Sequence, residues 1–476
     1  MKGTFRLGML TALCWGLQVP AHALQAMDDV QLADTTGQSL LNLAYTAPAG
    51  AGTGASHLDY GYYKMGLEGK LELNANIRNL QLGCGGVNDP GACDIDIQNA
   101  ALSGLPTSYA ADGTPQWANG RASSSAELTN PFIEFAFTNP DSPTGRQLAG
   151  VRLSAESITG LLTAGVENVA NPTDGIKTFS GYLQVAPTPV TAKTQTGVRF
   201  GLTTDQMIFS RVVTDLGTRH VFTNVNAMNP SSSNYQAPPS GTQWGPAVAQ
   251  QVVNFTFPQT TITGNRRSQL NLTVNNVPIP TIKIGATDGA LRLRMGEDLL
   301  WVTNSTFYMG ANGVNCQTAA YDPSKCTYIV NLKANVEVKE NFNLVHNLPL
   351  SGTGGYLSLQ NQAMRWPGSN TDDVAQPGWW MSFAQPLNFG ALNPTQEIAM
   401  DDVLPQIAKF INTFMSTNPV NLNFSEALSA AFGLPLYKAI GEINVAGTPA
   451  VMKLENLPMD NNQAVVPNCW GTLKFC

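Results

Sequence analysis

The sequence predicts a mainly β protein made of antiparallel sheets, arranged as a sandwich, a prism or an extended β-structure, with a short pair of helices near the C-terminus. Three observations predict this fold class. Apolar and polar residues alternate along most of the chain, turn-forming clusters separate these stretches, and the strand-helix alternation of a doubly wound sheet is missing. Only 12% of the 476 residues are charged, which is about half the usual share and is typical of exported β-proteins.

The first clear strand pattern lies between residues 71 and 82. Its apolar positions alternate and then slip by one residue, which predicts a strand with a bulge near Asn79. These positions are Leu71, Leu73, Ala75, Ile77, Leu80 and Leu82. The longest alternating run extends from Val330 to Val338, and shorter runs lie at residues 132–137, 151–155, 198–202, 252–257, 270–274, 282–284 and 291–295.

A helical pattern follows the last strands. Asp401 and Asp402 precede a stripe of apolar residues, with Pro405 in an allowed first-turn position. The stripe contains Val403, Leu404, Ile407, Ile411, Phe414 and Met415. A second helix is expected to start at a Ser425 cap and to stop at Gly433. The pair is expected to cover an edge of the sheet. The alternative is docking on a membrane or a partner, which is weakened because only Lys409 is basic on the first helix.

Six of the seven cysteines form three close pairs. The pairs are Cys84 with Cys93, Cys316 with Cys326, and Cys469 with Cys476. Short, turn-rich spacers of this kind predict three local disulfides made in an oxidising compartment. The strand pattern places the first two pairs at hairpin tips and the third at the C-terminus. The loops from Gly85 to Ala92 and from Gln317 to Lys325 are therefore candidate contact surfaces.

The seventh cysteine, Cys14, lies in a predicted secretory signal. Residues 1–23 combine the basic Lys2 and Arg6 with an apolar core and end in Ala21-His22-Ala23. Lipidation at Cys14 is the alternative, but Leu13 is too large for that processing. The mature chain would carry a net charge of about −9, which disfavours nucleic acid as a partner. We expect it in the periplasm, on the outer-membrane surface or outside the cell.

Four segments are expected along the chain. They are a signal peptide (1–23), an N-terminal signature and linker (24–50), a β-rich body (51–395), and the helical pair with a disulfide-closed tail (396–476). The body could divide into two domains near residues 226–246, where the composition is rich in turn-forming residues.

The search for catalytic residues gives mostly absences. The mature chain has three widely spaced histidines, His57, His220 and His346, and none lies in a zinc-protease, nucleophile-elbow or phosphate-loop motif. A secreted hydrolase that uses His220 or His346 is one alternative function. Asp94 and Asp96 would share a strand face beside a disulfide loop, which could be a calcium corner or a solvated polar face. No other cofactor is expected.

Four aromatic residues cluster in a turn-rich stretch of the chain. They are Tyr356, Trp366, Trp379 and Trp380. Exposed aromatic side chains on loops can stack on sugars or lie at a lipid interface, so they are candidate contact residues. Packing in a core is the alternative.

The residues after the signal carry one resemblance to a known family. Residues 24–38 follow the pattern Leu-x-x-Met-Asp-Asp-x-x-Leu-x-x-Thr-x-Gly-Gln, and this stretch resembles the N-terminal signature of bacterial exported proteins related to the Fil-type pilus-system proteins. The resemblance implies a Gram-negative envelope or surface-appendage setting, with an envelope or appendage protein as partner. It offers no catalytic residues to carry over.

Three function classes follow from these patterns. The favoured one is a non-enzymatic surface or pilus-associated protein with a structural or adhesive role. Contact of this protein with a membrane is left as an alternative. The alternatives are an outer-membrane β-barrel and the secreted hydrolase. The barrel is disfavoured by the C-terminal helices and by a chain end at Cys476 that is not a closing strand.

Overall fold

The computed structural model describes residues 41–48, 60–85, 92–201, 203–215, 217–222, 247–285, 290–292, 306–460 and 463–466. The predicted signal, the N-terminal signature and the Cys469–Cys476 pair lie outside these residues. The proposed domain boundary near 226–246, most of the Gly85–Ala92 loop and His57 also lie outside them, so these predictions stay predictions.

The described residues form 32 strands and two α-helices. In the first half of the chain the strands are β1 (Leu41–Thr46), β2 (Tyr60–Leu67), β3 (Lys70–Leu73), β4 (Ala75–Leu82), β5 (Ile95–Ser103), β6 (Ser108–Tyr109), β7 (Pro115–Gln116), β8 (Ala126–Thr138), β9 (Gln147–Thr163), β10 (Ile176–Val185), β11 (Thr188–Lys193), β12 (Val198–Arg199), β13 (Phe209–Thr214) and β14 (Gly217–Phe222). They continue as β15 (Ala247–Val248), β16 (Val252–Phe257), β17 (Thr260–Arg267), β18 (Gln269–Pro278), β19 (Ile282–Ile284), β20 (Ala290–Arg292), β21 (Thr306–Tyr308), β22 (Thr327–Val330), β23 (Lys333–Asn341), β24 (Asn347–Gly352), β25 (Gly355–Gln360), β26 (Gly378–Leu387), β27 (Asn393–Pro394), β28 (Val420–Asn421), β29 (Leu436–Tyr437), β30 (Glu442–Asn444), β31 (Ala450–Glu455) and β32 (Met459–Asp460). The helices are α1 (Leu404–Thr417) and α2 (Phe424–Ala431).

The prediction of a mainly β fold with a C-terminal helical pair is confirmed. Twelve strands form the largest sheet, with the order β1-β2-β8-β9-β25-β26-β10-β5-β4 and with β3, β17 and β24 attached to β8, β10 and β9. Most pairings are antiparallel, while β10 pairs with β26 in parallel. Because β5 also pairs with the end of β9, the pairings form a closed circuit through β9, β25, β26, β10 and β5. The sheet therefore curves back on itself.

Asparagine explains where several strands bend or end. A backbone φ near +60° is strained for most side chains, but asparagine tolerates it because its short amide can bond locally. Among the described residues, six of the seven non-glycine residues with positive φ are asparagines: Asn99, Asn130, Asn139, Asn276, Asn331 and Asn456. At Asn331 the long predicted run from Val330 to Val338 is divided into β22 and β23, which belong to different sheets. Alternation alone could not show this break.

The helices pack as the apolar stripe predicts. Helix α1 buries Leu404, Ile407 and Ile411 in the same core cluster as the strand residues, and Pro405 lies in its first turn. It packs against β13, β30 and β31. This arrangement agrees with a helix that covers sheet residues.

The start of α2 differs from the prediction. Asn423, not Ser425, is the N-cap: its side chain accepts a hydrogen bond from the Glu426 backbone N–H at 2.8 Å, and the Glu426 carboxylate accepts one from the Asn423 N–H at 2.8 Å. This reciprocal pair is a capping box. Ser425 instead donates its hydroxyl to Asn423 at 2.8 Å.

Candidate functional site: an apolar basin on the large sheet

The curved sheet forms a half-open cavity of about 680 Å³ on one face, which we call the apolar basin. Ten strands contribute its walls: β1 to β5, β8, β9 and β24 to β26. The lining residues share apolar side chains, with Ser154 as the exception. They are Leu41, Met65, Gly66, Leu67, Leu71, Leu73, Ala75, Ile77, Leu80, Ala100, Ala101, Leu102, Leu128, Pro131, Phe132, Ile133, Leu153, Ser154, Ile158, Leu162, Leu350, Tyr356, Leu357, Met381 and Phe383.

Many of the basin side chains are exposed to solvent. Seven of them are large apolar residues that are between 39% and 58% exposed: Leu41, Met65, Leu67, Leu71, Leu73, Ile77 and Leu153. Single exposed apolar residues are ordinary, but a contiguous set of this kind marks an interaction or ligand-binding surface. The basin is therefore the candidate functional site.

The first alternating run of the sequence supplies one wall of the basin. Leu71 and Leu73 lie on β3, while Ala75, Ile77 and Leu80 lie on β4, and all five line the cavity. The chain does not form one strand here: Asn74 separates β3, which pairs with β8, from β4, which pairs with β5. The bulge predicted near Asn79 is not on β4. Instead the partner strand has Asn99 in the left-handed conformation.

Two lining residues, Ser154 and Tyr356, carry a hydroxyl group, and both hydroxyls have a partner in the protein. The Ser154 hydroxyl donates to the Gly355 carbonyl oxygen at 2.7 Å. No charged side chain lines the described cavity. Salt bridges on the strands around it join Lys64 to Glu156 at 3.4 Å and Lys70 to Glu127 at 2.9 Å. The Lys64 Nζ also lies over the ring of Phe132, 4.2 Å from the ring centre.

Sequence reasoning missed the basin because it treated alternation as evidence for strands and not for an exposed face. In the structure all of β3 and most of β4 are exposed. An alternating strand with one buried face and one solvated face gives the same sequence pattern. Whether the apolar face is buried or exposed depends on the position of β3 and β4 at the open side of the curved sheet.

The four predicted contact aromatics lie mainly in a second core. Tyr356, Trp366 and Trp380 are at most 4% exposed, and Trp379 is partly buried against the main core. The first three belong to a buried group that we call the aromatic cluster: Tyr60, Tyr62, Ala136, Ala149, Tyr182, Tyr356, Met364, Trp366, Ala375 and Trp380. Packing in a core therefore describes Tyr356, Trp366 and Trp380. Of the four, Tyr356 also borders the basin.

A buried carboxylate holds the aromatic cluster together. Asp373 accepts hydrogen bonds from the Tyr356 hydroxyl at 2.9 Å, the Trp380 indole N–H at 3.1 Å and the Ser382 hydroxyl at 2.6 Å. Burial raises the pKa of Asp373, and the three donors oppose that rise. Burial and the Asp373 charge raise the pKa of Tyr356 well above its usual value. This arrangement fixes the positions of the Tyr356 and Trp380 rings.

An ion pair is buried beside the same aromatic rings. The Arg152 Nε lies 2.7 Å from Glu134 Oε2, with both side chains at most 6% exposed. The guanidinium lies between 5.2 and 5.6 Å from the ring centres of Phe132, Tyr356 and Trp366. Burial raises the pKa of Glu134 and lowers that of Arg152, while each partner opposes the shift of the other.

Two of the three predicted disulfides are present, while the third lies outside the described residues. Cys84–Cys93 closes the tip of the β4–β5 hairpin, where Leu82 pairs with Ile95, so the predicted hairpin clasp is confirmed. Cys316–Cys326 is also formed, but its flanking strands β21 and β22 belong to different sheets and meet at the single bridge between Gly310 and Cys326. The prediction that Cys316 and Cys326 lie at the tip of a hairpin was therefore wrong.

The Cys316–Cys326 loop has its own small core. Both cysteines are fully buried and pack with Tyr328. The Tyr328 hydroxyl accepts a hydrogen bond from the Asp322 backbone N–H at 2.8 Å. Within the Gln317–Lys325 loop, most residues from Thr318 to Lys325 are exposed or half-buried, so the disulfide fixes a loop that solvent can reach.

The described histidine side chain does not lie in a catalytic arrangement. His346 is 1% exposed, and its Nδ1 lies 3.0 Å from the Ala164 carbonyl oxygen. Its Nε2 has no hydrogen-bond partner among the described residues, so no nucleophile lies within reach there. Burial lowers the pKa of His346. For His220 the structure describes the backbone in β14 and not the side chain.

The carboxylates considered for calcium have other partners. Asp94 Oδ1 lies 3.2 Å from Arg266 Nε, and its Oδ2 accepts the Trp379 N–H at 3.0 Å. Asp96 accepts a hydrogen bond from Gln81 at 3.2 Å. In the part of the chain that the structure describes, no three metal-ligating side chains come together. Asp94 therefore ties the disulfide-closed hairpin to β17 and β26.

The fold and the basin define a class: a mainly β protein with disulfide-closed loops and a half-open apolar cavity on its largest sheet. No helix among the described residues is long and apolar enough to cross a bilayer. No family model, curated protein or solved structure matches the chain.

Proposed function

We propose that this chain is an exported, non-enzymatic protein of the bacterial cell surface or a pilus system, with a structural or adhesive role, and that it makes its contact through the apolar basin. The observation that carries the proposal is the set of seven exposed apolar side chains, on five strands of one sheet, that line a single cavity. Such surfaces mark sites of interaction.

Other features support an exported setting. Two disulfides are formed in the described residues, and disulfides persist in oxidising compartments. The resemblance of residues 24–38 to exported proteins of pilus systems favours a surface appendage. The His346 side chain is buried, and its Nε2 has no hydrogen-bond partner among the described residues, which disfavours a hydrolase that uses His346.

Surface exposure can be tested by protease treatment of intact cells of the producing bacterium. We expect added protease to degrade the chain while a soluble periplasmic protein in the same cells stays intact. Complete protection of the chain until the outer membrane is opened would contradict a surface location.

The role of the basin can be tested by site-specific photo-crosslinking in the same cells. A photo-reactive phenylalanine at Leu71, which is 46% exposed in the basin, is expected to crosslink an envelope component. The matched control is the same group at Leu434, which is 55% exposed outside the basin. Equal crosslinking from both positions, or none from Leu71, would show that the basin is not the contact site.

A further inference from the structure

The chemistry of the basin identifies its occupant. We propose that the basin binds the hydrocarbon chain of a single amphiphile, a fatty acid or a monoacyl lipid. This inference rests on the proposed function, because it names what the contact site takes.

The chemistry of the basin walls favours a hydrocarbon. Ligand sites for sugars, nucleotides or peptides combine an apolar lining with a few polar groups that converge on the ligand. Here 24 of the 25 lining residues are apolar or glycine, apart from the Tyr356 hydroxyl, which donates to Asp373. The hydroxyl of Ser154 donates to Gly355. The walls thus offer dispersion contacts and little hydrogen bonding, which suits a hydrocarbon.

The size and curvature of the basin also suit a single flexible chain. Its volume of about 680 Å³ lies within the range of roughly 300–1,000 Å³ that small-molecule sites occupy. Walls from ten strands surround the space, so a flexible chain placed inside would be covered on several sides.

The position of the charges around the basin disfavours a protein partner. Protein interfaces carry about one hydrogen bond per 100–200 Å² and a polar rim. Two of the charged residues that adjoin basin residues in sequence, Lys64 and Lys70, pair with Glu156 and Glu127. No charged side chain lines the described cavity itself, so its walls offer little charge with which to orient a protein.

The test uses the purified, disulfide-bonded chain and the fluorescent fatty acid cis-parinaric acid. We expect saturable binding at one site per chain. Competition by saturated fatty acids should strengthen by about fourfold for each added methylene until the basin is filled, as expected for burial of hydrocarbon. No saturable binding, or no dependence on chain length, would overturn the proposal.

The variants Leu153→Gln and Leu148→Gln form a matched pair on β9. Leu153 lines the basin and is 49% exposed, whereas Leu148 lies outside it and is 48% exposed. Leu153→Gln should weaken probe binding by about tenfold or more, since it places an amide against the hydrocarbon. Leu148→Gln should change binding by less than about twofold, because its side chain does not touch the site. Equal loss in both variants would overturn the proposal.

A second variant tests volume without adding polarity. Ala75 lines the basin at the start of β4, and Ala75→Phe should fill part of the space and shorten the longest fatty acid that binds well. Unchanged preference for chain length would count against a chain inside the basin.

Two further outcomes separate this inference from the proposed function. Binding to phosphatidylcholine vesicles with no uptake of the monomeric probe would show a bilayer-docking face and would overturn it. A protein crosslinked from Leu71, combined with no probe binding, would also overturn it while leaving the surface role intact. Protection of the chain on intact cells would remove the surface role without affecting fatty-acid binding.

Discussion

The aromatic cluster and the apolar basin share strands β8, β9, β25 and β26, yet one is filled and the other is open. Glu134 and Arg152 form a buried pair, while their chain neighbours Ile133 and Leu153 line the basin. Adjacent residues of a strand point to opposite faces. The same strands thus bury an ion pair on one side and leave hydrocarbon open to solvent on the other.

This difference shows that the chain can cover a sheet face when its loops reach it. The loop between β25 and β26 supplies Trp366 and Asp373 to the aromatic cluster. The described residues provide no comparable loop over the basin. Changes in the aromatic cluster should therefore affect stability, whereas changes in the basin should affect binding.

The largest effect is expected from breaking the buried ion pair. Arg152→Met should lower the free energy of unfolding by about 3–5 kcal/mol, because it leaves the Glu134 charge buried without its partner. Urea unfolding measures the change. The double variant Glu134→Leu with Arg152→Met should recover most of the loss, since it leaves no unpaired charge. If Arg152→Met alone were as stable as the parent, the pair would not be desolvated in the way the structure indicates.

The next effect is expected at the carboxylate of the cluster. Asp373→Asn should lower the free energy of unfolding by about 1–3 kcal/mol, since the new amide nitrogen is a donor and at least one of the three donors loses its acceptor. Ser382→Ala, which removes one of the three donors, is the milder control. Near-ultraviolet circular dichroism should report altered packing around Trp380. An unchanged midpoint in the Asn variant would contradict a structural role for this network.

Glu340 is a second buried carboxylate, and it can be compared with Glu134, which is paired with Arg152. Glu340 is 3% exposed; its Oε1 accepts the Leu457 N–H at 3.0 Å, and its Oε2 has no hydrogen-bond partner among the described residues. Burial raises the pKa of Glu340 to about 8. The folded chain therefore holds this proton more tightly than the unfolded chain does.

Stability should accordingly fall as the pH rises from near the unfolded pKa toward 8. The expected slope from this residue is about 1.4 kcal/mol per pH unit, for example between pH 6 and 7. Glu340→Gln keeps the acceptor for Leu457 and should remove this dependence, as measured by urea unfolding at several pH values. Parallel pH profiles for parent and variant would disprove the contribution.

The smallest effect on stability is expected in the basin. Leu153→Gln should change the free energy of unfolding by no more than about 0.5 kcal/mol, because the side chain is half exposed and replaces no buried contact of the cluster. The same variant should lose fatty-acid binding. A large loss of stability would mean that Leu153 belongs to the core, and the two faces would no longer differ in the way described.

Part of this structure could be predicted from the sequence because the signals are local. Alternation at Leu71 and Leu73 predicts strand, and the stripe through Ile407 and Ile411 predicts helix, since both depend on spacing along the chain. The short spacing from Cys84 to Cys93 predicted a disulfide at a hairpin tip for the same reason. The failure at Cys316–Cys326 came from the step beyond the local signal, which assigned pairing between two strands that join different sheets.

The sequence by itself determined the fold class, the helices and the two described disulfides, because strand alternation, helical stripes and short loop closure are properties of neighbouring residues. Only the tertiary structure decided which apolar faces are covered. Burial depends on residues far apart in the chain: Arg152 and the Pro367 carbonyl meet at 2.8 Å across 215 positions. The alternating leucines of β3 and β4 became basin walls instead of core for the same physical reason, since the described loops reach the other face of the sheet.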